Sequence, residues 1–173
     1  MNYTKDSLSK KELSFLLEQL SITEVLTEEN MDTFKESHPY ILNRSILKPT
    51  EITVYSMENK KLNEWLASKL SKNNIIESLY IMDYEKATFS KKHNDGLRKV
   101  AIVLLTDDFD GGRFLIEDKD VSLTNVGEYV VFDGCTHQHE VTEITRGSRK
   151  VLVMFFKNET EINEIIEKIK IGN

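Results

Sequence analysis

Val100-Ala101-Ile102-Val103-Leu104-Leu105 is a continuous apolar run rich in β-branched residues, and Asp108-Phe109-Asp110-Gly111-Gly112 follows it closely. A run of this length and composition, bounded by glycine, reads as a buried strand ending in a turn. The pattern extends in both directions. Short apolar stretches at 79–82, 113–116, 129–132 and 151–156 are further strand candidates. Six of the seven glycines (Gly96, Gly111, Gly112, Gly127, Gly134 and Gly147) fall among them. Glycine-bracketed runs are the mark of strands joined by tight turns. Together they predict a small antiparallel sandwich or jelly roll.

Outside this region the period changes to that of helices. Ser9 and Glu12 have capping-box spacing, and Leu13, Leu16, Leu17 and Leu20 follow on one helical face. A weaker helical segment is expected at 28–36, ending before Pro39. Leu62, Trp65, Leu66 and Leu70 mark another amphipathic helix, and Ile162, Ile165, Ile166 and Ile169 a last one. These stripes are read as core-facing. The expected organisation is one domain: helical support over about 1–75, a β core over about 76–157 and a C-terminal helix over about 159–171.

The chain has 173 residues, 39% of them hydrophobic, enough for one packed core. Its net charge of −6 does not suit a protein that binds by neutralising phosphates. The single cysteine, Cys135, can form no internal disulfide. No apolar run opens the sequence, and none approaches the roughly 20 residues that span a bilayer. A cytoplasmic protein without membrane or nucleic-acid partners is the expectation.

One motif carries chemistry. In His93-Asn94-Asp95, an extended backbone points the imidazole and the carboxylate to the same side. A third ligand could come from His137 or His139, whose equal strand parity leaves the choice open. Two histidines and one carboxylate make the facial triad of non-haem iron oxygenases, which keeps positions open for other ligands. Alone, a His-x-Asp pair is weak and is more often two solvated loop residues.

Its context strengthens it. Tyr84 precedes His93-Asn94-Asp95. After the pair come the 100–105 strand, the Gly111-Gly112 turn, and Val126-Gly127-Glu128 entering the 129–132 strand. Then come His139-Glu140-Val141 and Gly147-Ser148-Arg149, leading into 151–156. This series, over about residues 79–156, resembles the catalytic domain of the prolyl 4-hydroxylase type of 2-oxoglutarate/Fe(II) oxygenases. The resemblance implies a mainly β fold with flanking helices around a double-stranded β-helix core of the jelly-roll, cupin-like kind. It implies Fe(II) and 2-oxoglutarate, with His93, Asp95 and His139 as iron ligands and Arg149 gripping the distal carboxylate of 2-oxoglutarate. Tyr84 matches a tyrosine near that carboxylate, although a core role is as good a reading. His139 is favoured over His137 because ten residues separate it from Arg149; His137 then stands behind the ligands or toward the substrate. Gly111, Gly112 and Gly147 read as turn formers.

Ser90 and Lys92 stand where the family often has an aromatic and a proline, and Phe155 stands where it usually has tryptophan. These departures leave iron and 2-oxoglutarate untouched and bear on the substrate. The expected activity is hydroxylation of an unactivated C–H, with O2 consumed and succinate and CO2 released, on a peptidyl residue such as proline. The alternatives are a free amino acid or other small molecule and, from a different class, a non-catalytic cupin-like metal-binding module. Nucleic-acid oxidation is disfavoured by the acidic balance. Oligomeric state is not specified.

Overall fold

A computed structural model describes residues 3–30, 33, 52–71, 74–95 and 99–158. In chain order the elements are β1 (Tyr3–Ser7), α1 (Lys10–Ile22), β2 (Val25–Asn30), β3 (Ile52–Met57), α2 (Lys60–Leu70), β4 (Asn74–Tyr84), β5 (Ser90–His93) and β6 (Lys99–Leu104). They continue with β7 (Phe109–Gly111), β8 (Phe114–Ile116), β9 (Lys119–Asp120), β10 (Glu128–Asp133), β11 (His139–Val141), β12 (Ile144–Gly147) and β13 (Arg149–Asn158). A seven-stranded antiparallel sheet has the order β1-β10-β6-β13-β4-β3-β2. A four-stranded sheet, β5-β11-β8-β9, packs on one face of it, and β12-β7 form a two-stranded ribbon.

The alternation along β6 and β13 explains why their sequences read as unbroken apolar runs. Val100, Ile102 and Leu104 of β6, with Val151, Val153 and Phe155 of β13, face the small sheet and join Phe114, Ile116 and Val141 in one core. Ala101 and Val103, with Leu152 and Met154, face the other way. There they meet Leu16 of α1 and Leu62, Leu66 and Leu70 of α2. Strands buried on both faces have no solvent side to carry polar residues. Truncating a fully buried member such as Leu152 to alanine should cost about 2–5 kcal/mol.

The helices begin where their caps require. Ser9 caps α1 in a complete capping box with Glu12, and Asn59 accepts from the backbone N–H of Leu62 at the start of α2. Leu16 is fully buried, but Leu17 is 44% exposed, so the apolar face of α1 is narrower than its leucine spacing predicts. No helix among the described residues is long and apolar enough to cross a membrane.

The N-terminal part departs from expectation. Besides α1 and α2 it supplies β1 to one edge of the large sheet and β3 and β2 to the other. Val25–Asn30 is strand where the start of a helical segment at 28–36 was expected, because residues 25 and 27–30 pair with β3. Backbone pairing overrides a weak helical pattern. The rest of that segment lies almost wholly outside the described residues, as does the whole of the C-terminal helix expected at 159–171.

Candidate metal centre

The two histidines of the site are cross-strand neighbours. His93 closes β5, His139 opens β11, and the antiparallel register places them directly opposite each other, with ring centroids 4.3 Å apart. Asp95 lies two residues beyond His93, where its backbone N–H donates to Gly134 O at 2.9 Å. That bond ties the His-x-Asp segment to the turn after β10. The Asp95 carboxylate then sits between the imidazoles, with His93 Nε2 3.4 Å from Oδ1 and His139 Nε2 3.3 Å from Oδ2. Two donors about 2.1 Å from one ion and at right angles stand about 3 Å apart. One ligand atom from each residue lies within 4.8 Å of the others, so the three can converge on a single ion.

The ring orientations have local causes. His93 Nδ1–H donates to Lys91 O at 2.7 Å, and Ser90 Oγ lies 3.3 Å from the same nitrogen. His139 Nδ1–H donates to His137 O at 3.3 Å. In each case the carbonyl two residues earlier takes the Nδ1 proton and leaves Nε2 as the inward lone pair, the arrangement that fixes the tautomer of metal-binding histidines. His139 is further wedged against Phe132 and Phe114, with centroids at 4.8 Å and 5.7 Å. Burial works against the charge on Asp95. When no metal occupies Nε2 and the rings are protonated there, His139, by charge and hydrogen bond, and then His93 outweigh it and hold the carboxyl well below the usual carboxylate range.

His137 is not part of the cluster. Its N–H donates to Asp133 O at 3.0 Å within the turn, so it precedes β11 rather than extending it, and strand parity does not apply to it. It reaches the site through its carbonyl on His139.

Arg149 and Tyr84 form a second pair of cross-strand neighbours, in the β4–β13 ladder. Arg149 is 1% exposed, and its guanidinium carbon lies 5.6 Å from the Tyr84 ring centre. Its Nε and Nη2 are buried and have no hydrogen-bond partner among the described residues. Burial pulls the guanidinium pKa down, with Tyr84 acting the other way, but arginine keeps its charge in proteins. Burial pushes the Tyr84 phenol up, Arg149 opposes it and Asp95 adds to it. The phenol therefore stays a donor, and among the described residues its acceptor is Met82 Sδ at 3.8 Å.

Gly112 makes room for this arginine. Its φ is +58°, and a Cβ there would overlap Ile144 Cδ1 and come within 3.0 Å of Arg149 Cδ. It is thus more than a turn former.

His93, Asp95, His139, Arg149 and Tyr84 line one cavity of about 60 Å³. A single water needs roughly 10–15 Å³ by this measure, so the cavity holds a small molecule. Its remaining wall is mostly apolar, built from Val100, Ile102, Phe114, Val151, Val153 and Phe155. Sequence reasoning missed Ser90, which is 2% exposed and lines the same cavity, and it missed the Lys91 and Gly134 carbonyls. Backbone acceptors leave no signature in residue type.

No protein-family model matches the sequence, and no curated protein matches it either. Solved structures do resemble it. A 2OG-Fe(II) oxygenase family oxidoreductase from Burkholderia pseudomallei superposes with a TM-score of 0.59 at 16% identity, covering 90% of this chain and 84% of that one. A Pseudomonas putida prolyl-4-hydroxylase gives 0.59 at 15% identity, covering 91% and 92%. A Trichoplax adhaerens prolyl hydroxylase, in complex with a hypoxia inducible factor peptide fragment, gives 0.57 at 12%, covering 92% and 84%. The fold of this chain is the double-stranded β-helix seen in 2-oxoglutarate/Fe(II) oxygenases of the prolyl 4-hydroxylase kind.

Proposed function

We propose that the chain is a 2-oxoglutarate- and Fe(II)-dependent dioxygenase that hydroxylates an unactivated C–H of a peptidyl residue such as proline, with succinate and CO2 as coproducts. One observation carries this reading. The His93–Asp95–His139 cluster shares its cavity with a buried arginine that has two unpartnered nitrogens. A metal module without a cosubstrate has no use for such a cation, because leaving it buried and unpaired is costly.

The residues fit the groups proposed. His93, Asp95 and His139 would hold the ion and leave positions open for 2-oxoglutarate and O2. Bound iron with 2-oxoglutarate supplies the oxidising chemistry. Arg149 would grip the distal carboxylate with two parallel hydrogen bonds, and Tyr84 would add a third donor. The charges then cancel: a divalent ion, a dianion, one carboxylate and one guanidinium sum to zero in a site that excludes water. The apolar wall keeps that site dry. Asp95 as third ligand suits hydroxylation, since a halogenase of this kind needs that position free for halide.

The substrate reading draws on the Trichoplax adhaerens prolyl hydroxylase, whose structure is a complex with a hypoxia inducible factor peptide fragment. The test is incubation with Fe(II), 2-oxoglutarate and separate pools of peptides, free amino acids and oligonucleotides, followed by mass spectrometry. The expected result is succinate formation coupled to gain of one oxygen atom in a peptide. Oxygen gained only by free amino acids would move the substrate to the small-molecule alternative. No 2-oxoglutarate turnover in any pool, or in its absence, would contradict the oxygenase reading.

A further inference from the structure

The hairpin between β8 and β9 turns through two residues, Glu117 and Asp118, with φ of +49° and +65°. Positive φ at both central residues is the type I′ pattern, which favours Gly, Asn and Asp and disfavours a glutamate such as Glu117. Strain of this kind persists where the surroundings use it. Here both side chains are used. Glu117 Oε1 accepts the backbone N–H of Gln138 at 2.7 Å, and the Glu117 N–H donates to Gln138 O at 2.9 Å. The Asp118 carboxylate pairs with Lys92. Gln138 immediately precedes His139, and Lys92 immediately precedes His93. One strained turn thus grips the residues next to both histidines of the cluster, which face each other across the β5–β11 ladder.

We infer that Glu117 and Asp118 are positioning residues that set the separation of His93 and His139, and through it the affinity of the site for a divalent metal. The inference rests on the proposed metal-site reading and adds two residues to it. An exposed ion pair contributes little to stability, so a merely structural role gives the Lys92–Asp118 contact almost nothing to do. A role in ligand spacing gives it a specific one.

The test separates the two roles by giving them opposite signs. The double variant Glu117→Asn, Asp118→Gly installs the preferred turn and removes both side-chain grips, leaving the backbone bond between residues 117 and 138 in place. Metal-free full-length protein is melted and then titrated with Mn(II), with free Mn(II) followed by electron paramagnetic resonance. The variant should melt no lower than wild type yet bind Mn(II) about tenfold more weakly, the lower end of what outer contacts to metal ligands typically supply. Lys92→Met, which leaves the turn intact, should also weaken Mn(II) binding, whereas Glu117→Gln, which keeps the acceptor, should stay within twofold of wild type. Unchanged affinity in both the double variant and Lys92→Met overturns the inference. If the double variant melts lower, Lys92→Met alone decides, and unchanged affinity there overturns it. Failure of the wild type to bind Mn(II) would instead sink the metal site itself.

Discussion

Tyr84 and Arg149 stand directly opposite each other across the β4–β13 ladder, and the guanidinium beside the phenol ring has, among the described residues, no hydrogen-bond partner for two of its nitrogens. The arrangement is poor for stability and well suited to an anion. Every prediction about the cosubstrate pocket follows from it, just as those about the metal follow from the His93–His139 register.

The candidate metal ligands come first. Asp95→Ala and His139→Ala should each abolish tight Mn(II) binding. His137→Ala should leave it nearly intact, because only the backbone carbonyl of His137 touches the site and the substitution keeps that carbonyl. Titration of metal-free protein checks this. Loss of binding in His137→Ala with retention in His139→Ala would reverse the assignment.

Removing the unpartnered charge should stabilise the protein without ligands. Replacing buried ionic groups by apolar ones of similar volume is often neutral or stabilising by about 1–4 kcal/mol. Arg149→Met in the metal-free protein should therefore melt at or above the wild-type temperature. Added Mn(II) and 2-oxoglutarate should raise the wild type further than the variant. Thermal unfolding with and without ligands measures both, and a large drop in the ligand-free variant would mean that Arg149 holds the fold together.

Gly112→Ala tests how the arginine is seated. The added Cβ meets Ile144 and Arg149, and the left-handed backbone resists any side chain. We expect a stability loss of about 1–3 kcal/mol. The affinity for 2-oxoglutarate should fall while Mn(II) affinity stays close to wild type, since no metal ligand touches Gly112 among the neighbours of the added Cβ. Equal weakening of both ligands would point to general unfolding.

Glu12 carries an acid-sensitive contribution. Its hydrogen bonds to Lys69 and to Ser9 lower its pKa from 4.5 to about 2. A depressed carboxyl stabilises the fold above its unfolded pKa, and that contribution is lost as pH falls through the folded value. Denaturant unfolding between these two pH values should show a steeper loss of stability in wild type than in Glu12→Gln. Parallel pH profiles would contradict a charge-dependent contribution of Glu12 through Lys69 and Ser9.

The β core was legible because its strands are buried on both faces or punctuated by glycine. The run at 100–105 is β6 almost residue for residue, and the run at 151–156 lies inside β13. Edge and connecting strands were not legible. β1 and β2 are exposed along nearly their whole length, so no apolar alternation marks them, and their pairing partners lie far along the chain. The candidate ligands could be read because His-x-Asp confines two donors to neighbouring positions. The choice between His137 and His139 could not be made from parity, because the turn that takes His137 out of the strand is closed on Asp133: its carbonyl accepts the His137 N–H, and its carboxylate accepts those of Cys135 and Thr136. Ser90 was read only as a departure, since a serine three residues before a histidine says nothing of which ring nitrogen it approaches.

The central claim is that Arg149 receives a dianionic cosubstrate beside the metal, and one titration tests it most directly. Calorimetric titration of 2-oxoglutarate into the Mn(II)-loaded protein should give a 1:1 complex for wild type. Stranding one charge of a buried ion pair costs roughly 3–5 kcal/mol, so Arg149→Ala should bind about a hundredfold more weakly or worse. Arg149→Lys should fall between, and Tyr84→Phe should lose about 0.5–3 kcal/mol. Mn(II) affinity without 2-oxoglutarate should be unchanged in all three. Wild-type affinity for 2-oxoglutarate in Arg149→Ala would contradict the account.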